Sequence, residues 1–99
     1  MDVTAWSNGS GHFGLYIGKR NRDEHFERDW SVVEIEIDSR VHFFELSEGF
    51  WRDCPEIRDS GEPVIREWLA KHGGLHWAPG SPPRMTLLPL ASGRFRLSQ

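Results

Sequence analysis

The chain lacks most of the features that mark secreted and membrane proteins. It contains a single cysteine, Cys54, so no internal disulfide can form, and a lone thiol of this kind is expected to be buried. No apolar run approaches the roughly 20 residues that span a bilayer, and residues 1–6 have neither the charged nor the apolar segment of a signal peptide. These absences predict a cytoplasmic protein without a membrane partner.

The common signatures of catalysis and metal binding are also missing. There is no glycine-rich phosphate loop followed by Lys-Ser or Lys-Thr, no nucleophile elbow, and no carboxylate pair followed by Glu-x-Lys. His72 and His76 have a spacing that zinc could use, but Gly73 and Gly74 interrupt the helix between them. We therefore expect no catalytic residue, no metal site and no cofactor.

Five histidines leave one catalytic alternative open. His12 and His42, with Lys19 or Arg20 to hold an anion, have the side chains of a ribonuclease-like acid–base site. No spacing in the sequence forces the two histidines together. A small ribonuclease toxin is therefore the least favoured interpretation.

Acidic residues are almost absent from the two ends of the chain. The net charge is −3, yet fourteen of the fifteen acids lie between Asp23 and Glu67, and residues 3–22 and 68–99 contain none. If the two ends pair in one sheet, this mildly acidic protein acquires one basic face, which suits a nucleic acid. The alternative is that acidic loops merely cluster in the middle of the chain.

Alternating apolar residues predict one mainly β (α+β) domain spanning residues 1–99. About six to seven strands, together with two short helices, fit a small antiparallel pseudobarrel better than a sandwich. The clearest predicted strands are Phe13–Gly18, Val32–Ile37, Val41–Leu46, Met85–Leu90 and Arg94–Leu97.

The two helices have recognisable ends. Asn21 is a good N-cap and Glu24 lies three residues further on, as in a capping box, so the first helix is predicted to run to about Arg28. Pro63 opens the second helix, and Gly73–Gly74 ends it.

The most specific part of the sequence surrounds the first predicted strand. The polar, glycine-rich loop Ser7–His12 precedes the strand, and a basic corner with Lys19, Arg20 and Arg22 follows it. This order places a donor-rich loop, cations and a helix N-terminus on consecutive backbone, which suits phosphate binding beside base contacts. An ordinary hairpin tip has the same composition as the loop.

A second candidate is the aromatic loop around Phe50-Trp51-Arg52. An aromatic pair beside an arginine can stack on a base or wedge a groove, and it can equally be part of a core. Arg52 is the member of this trio most suited to a functional contact.

Taken together, these segments are similar to a known family. Gly14-Leu-Tyr-Ile-Gly-Lys-Arg-Asn-Arg-Asp-Glu-His-Phe26 resembles the R-L-x-I-P-K-x-x-x-x-x-x-F segment of the plant "B-three" DNA-binding pseudobarrel of auxin- and abscisic-acid-response factors, with Gly18 in place of the proline. In that family a strand hairpin and a Gly-Trp loop follow, and Val32–Leu46 and Ser47–Arg52 occupy those places here. The DNA-recognition domains of EcoRII- and BfiI-type restriction enzymes are a bacterial version of this fold.

The resemblance implies a non-catalytic recognition domain that clamps double-stranded DNA. Two loops would enter the major groove, the N-arm (Ser7–His12) and the C-arm (Ser47–Arg52), with Lys19 and Arg20 near phosphates. The predicted DNA-binding residues are Ser7, Asn8, Ser10, His12, Lys19, Arg20, Arg22, Trp51 and Arg52.

The main alternative belongs to another class. An inhibitor or adaptor could present Glu34, Glu36 and Glu45 from the acidic middle of the chain to a basic protein partner, in the manner of a DNA mimic. Acidic residues scattered over every face of the fold would favour this alternative, whereas acids confined to one side would favour the DNA clamp.

Overall fold

The computed structural model describes residues 1–99 and shows a mainly β fold, as predicted. Seven strands form one sheet in the order β4-β3-β7-β6-β1-β2-β5, in which only β3 and β7 are parallel. The edge strands β4 and β5 contact each other, so the sheet is a nearly closed barrel. The elements are β1 (Asp2–Ser7), β2 (Phe13–Tyr16), α1 (Lys19–His25), β3 (Val32–Ile37), β4 (Arg40–Glu45), a 3₁₀ turn (Gly49–Trp51), β5 (Glu56–Arg58), α2 (Val64–His72), β6 (Arg84–Ala91) and β7 (Arg94–Ser98).

The barrel interior holds the alternate apolar residues of the strands. Leu15 and Ile35 are fully buried, as the alternation of their strands predicts. Phe26, which follows α1, closes one part of the core, since its ring lies 5.0 Å from the ring of Phe95 and 5.1 Å from that of Phe50. This contact packs the C-arm, which contains Phe50, against the barrel. Neither helix has the length and apolar character needed to cross a bilayer.

The start of α1 differs from the prediction. Asn21 is not an N-cap, because the helix begins two residues earlier at Lys19 and ends at His25. The Asn21 side-chain amide instead donates to the carbonyls of Ile17, at 3.0 Å, and Asp2, at 2.7 Å, and so ties the helix to β1. Gly18 makes the early start possible with a φ of +83°, a conformation closed to the proline of the similar family segment.

Helix α2 begins after Pro63, as predicted, and its cap comes from an unexpected residue. The two carboxylate oxygens of Asp59 accept hydrogen bonds from the backbone N–H groups of Ile65, at 2.8 Å, and Arg66, at 2.9 Å. Asp59 therefore does the work of an N-cap from outside the helix. Burial raises the pKa of this carboxyl, while its hydrogen bonds with Ile65 and Arg66 partly oppose the rise.

The raised pKa of Asp59 predicts a specific pH dependence of stability. A native pKa above the unfolded value means that the folded protein binds the proton more tightly, so this contribution to stability is full below the unfolded pKa, about 3.9, and is lost as the pH rises through the native pKa. Asp59→Asn cannot titrate. We therefore expect the unfolding free energy of the wild type, relative to Asp59→Asn, to fall as the pH rises above about 4.

Denaturant unfolding of both proteins at a series of pH values checks this expectation. A difference that grows with pH in that range would contradict it, since the hydrogen bonds to the carboxylate would then outweigh burial. Asp59→Ala, which removes both acceptors, should cost about 1 kcal/mol near pH 4, and this cost should decrease as the pH rises, because alanine does not titrate either.

The expected basic face does not form where the two ends of the chain meet. The ends do pair in one sheet, through β1, β6 and β7, but β3 of the acidic middle lies beside β7. The parallel register aligns Glu34 with Arg94 and Glu36 with Arg96, and each pair forms a salt bridge. These arginines are therefore neutralised on the outer surface of the barrel, which the sequence separation of the charges did not predict.

Candidate nucleic-acid interface

The N-arm is a short loop between β1 and β2 that is organised by its own hydrogen bonds. The Asn8 carbonyl oxygen Oδ1 accepts from the backbone N–H groups of Ser10, at 2.8 Å, and His12, at 3.2 Å, and the Asn8 amide lies 2.9 Å from Nδ1 of His12. The Ser7 hydroxyl accepts from the N–H of Gly9. Asn8 and Ser7 thus hold the loop in shape, and the exposed side chain of Ser10 and ring of His12 remain for outside contacts.

The C-arm, between β4 and β5, combines a buried and an exposed half. Phe50 is fully buried, and Trp51, which is half-buried, packs edge-on against it at 5.1 Å. The guanidinium of Arg28 lies 5.5 Å from the centre of the Trp51 ring. Trp51 therefore mostly supports the arm, while Arg52 is exposed at its end.

Cys54, which follows the arm, is exposed, so the prediction of a buried thiol was wrong: the ten-residue connection between β4 and β5 carries it outside the core.

Arg22 has a different place from the one expected of a phosphate contact. It is only 7% exposed, and its guanidinium donates to the carbonyls of Phe50 and Arg52, both at 3.0 Å, and to the Asp23 carboxylate. These carbonyls belong to the C-arm. Arg22 therefore fastens the arm to α1, and its charge is directed into the protein.

Lys19 and Arg20 project from the first turn of α1 into solvent. Lys19 Nζ lies 3.7 Å from a carboxylate oxygen of Asp53, and Arg20 pairs with Glu24 one turn further along the helix. The Arg20 side chain is 90% exposed and that of Asp53 is 91% exposed. Exposed pairs of this kind contribute about 0–1 kcal/mol, so a phosphate could replace either carboxylate at little cost.

The two arms lie at opposite ends of β2. The N-arm enters the strand at Phe13, whereas the N–H groups of Ile17 and Gly18, past the other end, donate to the carbonyl of Pro55 just after the C-arm. A four-residue strand is about 13 Å long. The predicted contact residues therefore form two separate groups, divided by the outer face of β1, β2 and β5.

The face between the arms carries residues that the sequence did not single out. Trp6, Gly14 and Arg58 stand side by side across the three strands. Because Gly14 has no side chain, Arg58 reaches across it, and its guanidinium lies 4.4 Å from the centre of the Trp6 ring. Tyr16 is 43% exposed on β2. The alternation of Val3 and Ala5 with polar neighbours could have identified β1 and hence the place of Trp6.

The arginine and lysine side chains of the chain divide into those that form a salt bridge with a carboxylate and those that do not. Arginine and lysine side chains with no carboxylate oxygen within 4.0 Å are Arg28, Arg40, Arg52, Arg66 and Arg84. Arg28 and Arg52 lie at the C-arm, and Arg66 lies beside the N-arm, where its guanidinium is 5.9 Å from the centre of the Phe13 ring. Each arm therefore has unpaired arginine next to it.

Neither the ribonuclease-like site nor the acidic protein-binding surface is assembled as its hypothesis requires. His42 lines shallow clefts beside β4, together with Glu62 and Val64, whereas His12 is hydrogen-bonded to Asn8 in the N-arm. On the outer face of β3, Glu34 and Glu36 already have arginine partners. The acidic middle of the chain thus presents no uncompensated acidic surface on that strand.

Comparison with protein-family models, with curated proteins and with solved structures finds no match for this chain.

Proposed function

We propose that this protein binds double-stranded DNA through the N-arm and the C-arm and has no catalytic activity of its own. The observation that carries the proposal is the pair of arms at opposite ends of β2, each beside unpaired arginine, while Arg94 and Arg96 on β7 are held in salt bridges. Phosphates attract the unpaired cations, and polar loop side chains select bases.

The proposal gives the predicted contact residues three roles. Lys19 and Arg20 contact phosphates from the first turn of α1, next to the C-arm. Ser10, His12 and Arg52 contact base edges, because their side chains are exposed at the arms. Ser7 and Asn8 hold the N-arm in position without contacting DNA themselves. Arg22 and Trp51 do the same for the C-arm.

The distance between the arms limits the length of the DNA site. About 13 Å along β2 corresponds to roughly four base-pair steps of 3.4 Å. A site of a few base pairs with modest affinity suits a recognition domain that works beside another protein. A relation to the recognition domains of bacterial restriction systems is the specific form that the sequence resemblance implies.

Arg52→Ala is expected to weaken binding to a preferred duplex by about 5- to 150-fold, the range of one bidentate arginine–guanine contact. Arg40→Ala is the matched control, because Arg40 is also exposed and unpaired but lies at the far end of β4, about 20 Å from the C-arm. The measurement is fluorescence anisotropy with a labelled duplex. Equal losses for the two variants would contradict a C-arm contact.

Arg20→Ala separates the phosphate role from the base role. We expect equal weakening on preferred and random duplexes, and a decrease of about one unit in the slope of log affinity against log salt. Arg52→Ala should instead weaken the preferred duplex more than the random one. The same anisotropy titrations at several salt concentrations test this, and an unchanged slope for Arg20→Ala would rule out the phosphate contact.

A further inference from the structure

A cleft of about 430 Å³ lies beside the N-arm and includes Arg66, the unpaired arginine next to that arm. Its walls come from the N-arm, from Phe13 at the start of β2, from Arg66 on α2, and from the segment that follows α2, which contributes Leu75, His76 and Trp77. The volume is within the range of sites that hold small organic ligands.

Two aromatic rings give the cleft a stacking wall. The rings of Phe13 and Trp77 lie 6.3 Å apart at 70° to each other, and Trp77 is only half-buried. Phe13 is itself nearly buried, so the exposed part of the wall is the indole of Trp77. An indole face stacks on a flat π-system and does so with any nucleobase.

Arg66 places an uncompensated positive charge at the same cleft. Its guanidinium has no carboxylate partner and lies 5.9 Å from the centre of the Phe13 ring. The side chain is exposed and lies at the edge of the buried face of α2, about 100° around the helix from Ile65. An exposed guanidinium beside an aromatic wall suits a ligand that joins an anion to a flat ring.

The N-arm side of the cleft is open backbone. Gly9 and Gly11 line it, and a Cβ atom added to either would meet nothing within 4 Å. Their φ values of +81° and +91° favour glycine, so this wall stays free of side chains. A bulky group can therefore approach the aromatic wall from the N-arm side, which is the side where the proposed DNA lies.

We propose that the cleft holds a single extrahelical nucleotide of the bound DNA, with its base stacked on Trp77 and its phosphate near Arg66. This inference rests on the proposed function, since the nucleotide reaches the cleft from a duplex held by the N-arm. Extruding a base costs a few kcal/mol in a paired duplex and least where the base has no partner. The cleft therefore gives the protein a preference for duplexes that contain an unpaired base.

The test compares two duplexes of the same mixed sequence at low salt. One is fully paired, and the other has a single abasic position opposite a normal base, so that this base has no partner. We expect the second duplex to bind at least tenfold more tightly to the wild type. Trp77→Ala and Arg66→Ala should each reduce the preference to less than threefold, whereas Trp77→Phe, which keeps a stacking ring, should retain most of it.

Each outcome has a definite meaning. Equal binding of the two duplexes by the wild type would overturn the cleft inference and leave the two-arm proposal standing. Failure to bind either duplex would contradict the proposed function itself. Arg66 is exposed, so Arg66→Ala is expected to fold. A preference that survives Arg66→Ala and Trp77→Phe, and is lost only because Trp77→Ala does not fold, would also overturn the cleft inference.

Discussion

Arg22→Met is expected to lower the free energy of unfolding by about 3 kcal/mol, because two carbonyl groups of the C-arm lose a charged donor. At 4–8 °C per kcal/mol for a domain of about this size, the melting temperature should fall by more than about 10 °C. Methionine keeps most of the side-chain volume, so the change isolates the hydrogen bonds to Phe50 and Arg52. Thermal and denaturant unfolding measure the effect.

Arg20→Met is the matched control in the same helix. Arg20 is 90% exposed and its only ion pair is the surface contact with Glu24, so the cost should be below about 0.5 kcal/mol. If the two substitutions cost the same, the buried guanidinium of Arg22 is not what fastens the C-arm. Arg22→Met should also weaken DNA binding at temperatures where the variant is still folded, since the arm loses its attachment to α1.

Gly14→Ala is expected to be the most damaging small substitution, with a cost of about 3 kcal/mol in the free energy of unfolding. A Cβ at this position would lie 2.3 Å from the carbonyl oxygen of Ile57 and 2.9 Å from the Cα of Arg58. Both atoms belong to the backbone and cannot rotate away as a side chain could. Strand β5 must therefore move away from β2, and overpacking of this kind is costly. The shift would also remove Arg58 from its place over Trp6.

Gly49→Ala makes the same chemical change without the clash. The nearest atoms to the added Cβ would be 3.5 Å away, on Cys54, and 3.6 Å away, on Ser47, which is ordinary contact. We expect a change within about 0.5 kcal/mol. Denaturant unfolding of both variants provides the comparison, and a Gly14→Ala protein as stable as Gly49→Ala would show that β5 does not approach β2 as closely as described.

The fold was predictable wherever a strand carries its own alternating pattern. Phe13–Tyr16 and Val32–Ile37 were found because every second residue is apolar and buried. The three-residue strand β5 was not predicted, since three residues give no period and its existence depends on pairing with β2. The capping prediction for Asn21 failed for a related reason, because a tertiary hydrogen bond with Asp2 competes with the local one.

The candidate site was predictable only in its contiguous parts. The N-arm and the C-arm are single segments whose composition is visible in the sequence. The pairing of Arg94 with Glu34, the stacking of Arg58 on Trp6, and the meeting of Arg66 with Phe13 all join distant segments, and only the strand order brings them together. For this reason the sequence alone does not show which cations lack a carboxylate partner.

The central claim, that the two arms recognise a short DNA site, is tested most directly by selection from a randomised duplex pool. The protein is incubated with the pool at low salt and again at moderate salt, and the bound fraction is sequenced. We predict enrichment of a motif of a few base pairs that persists at the higher salt, since base contacts do not depend on counterion release as phosphate contacts do. Failure to retain any duplex at low salt would contradict the claim and would make a basic protein partner of the acidic middle segment the leading hypothesis.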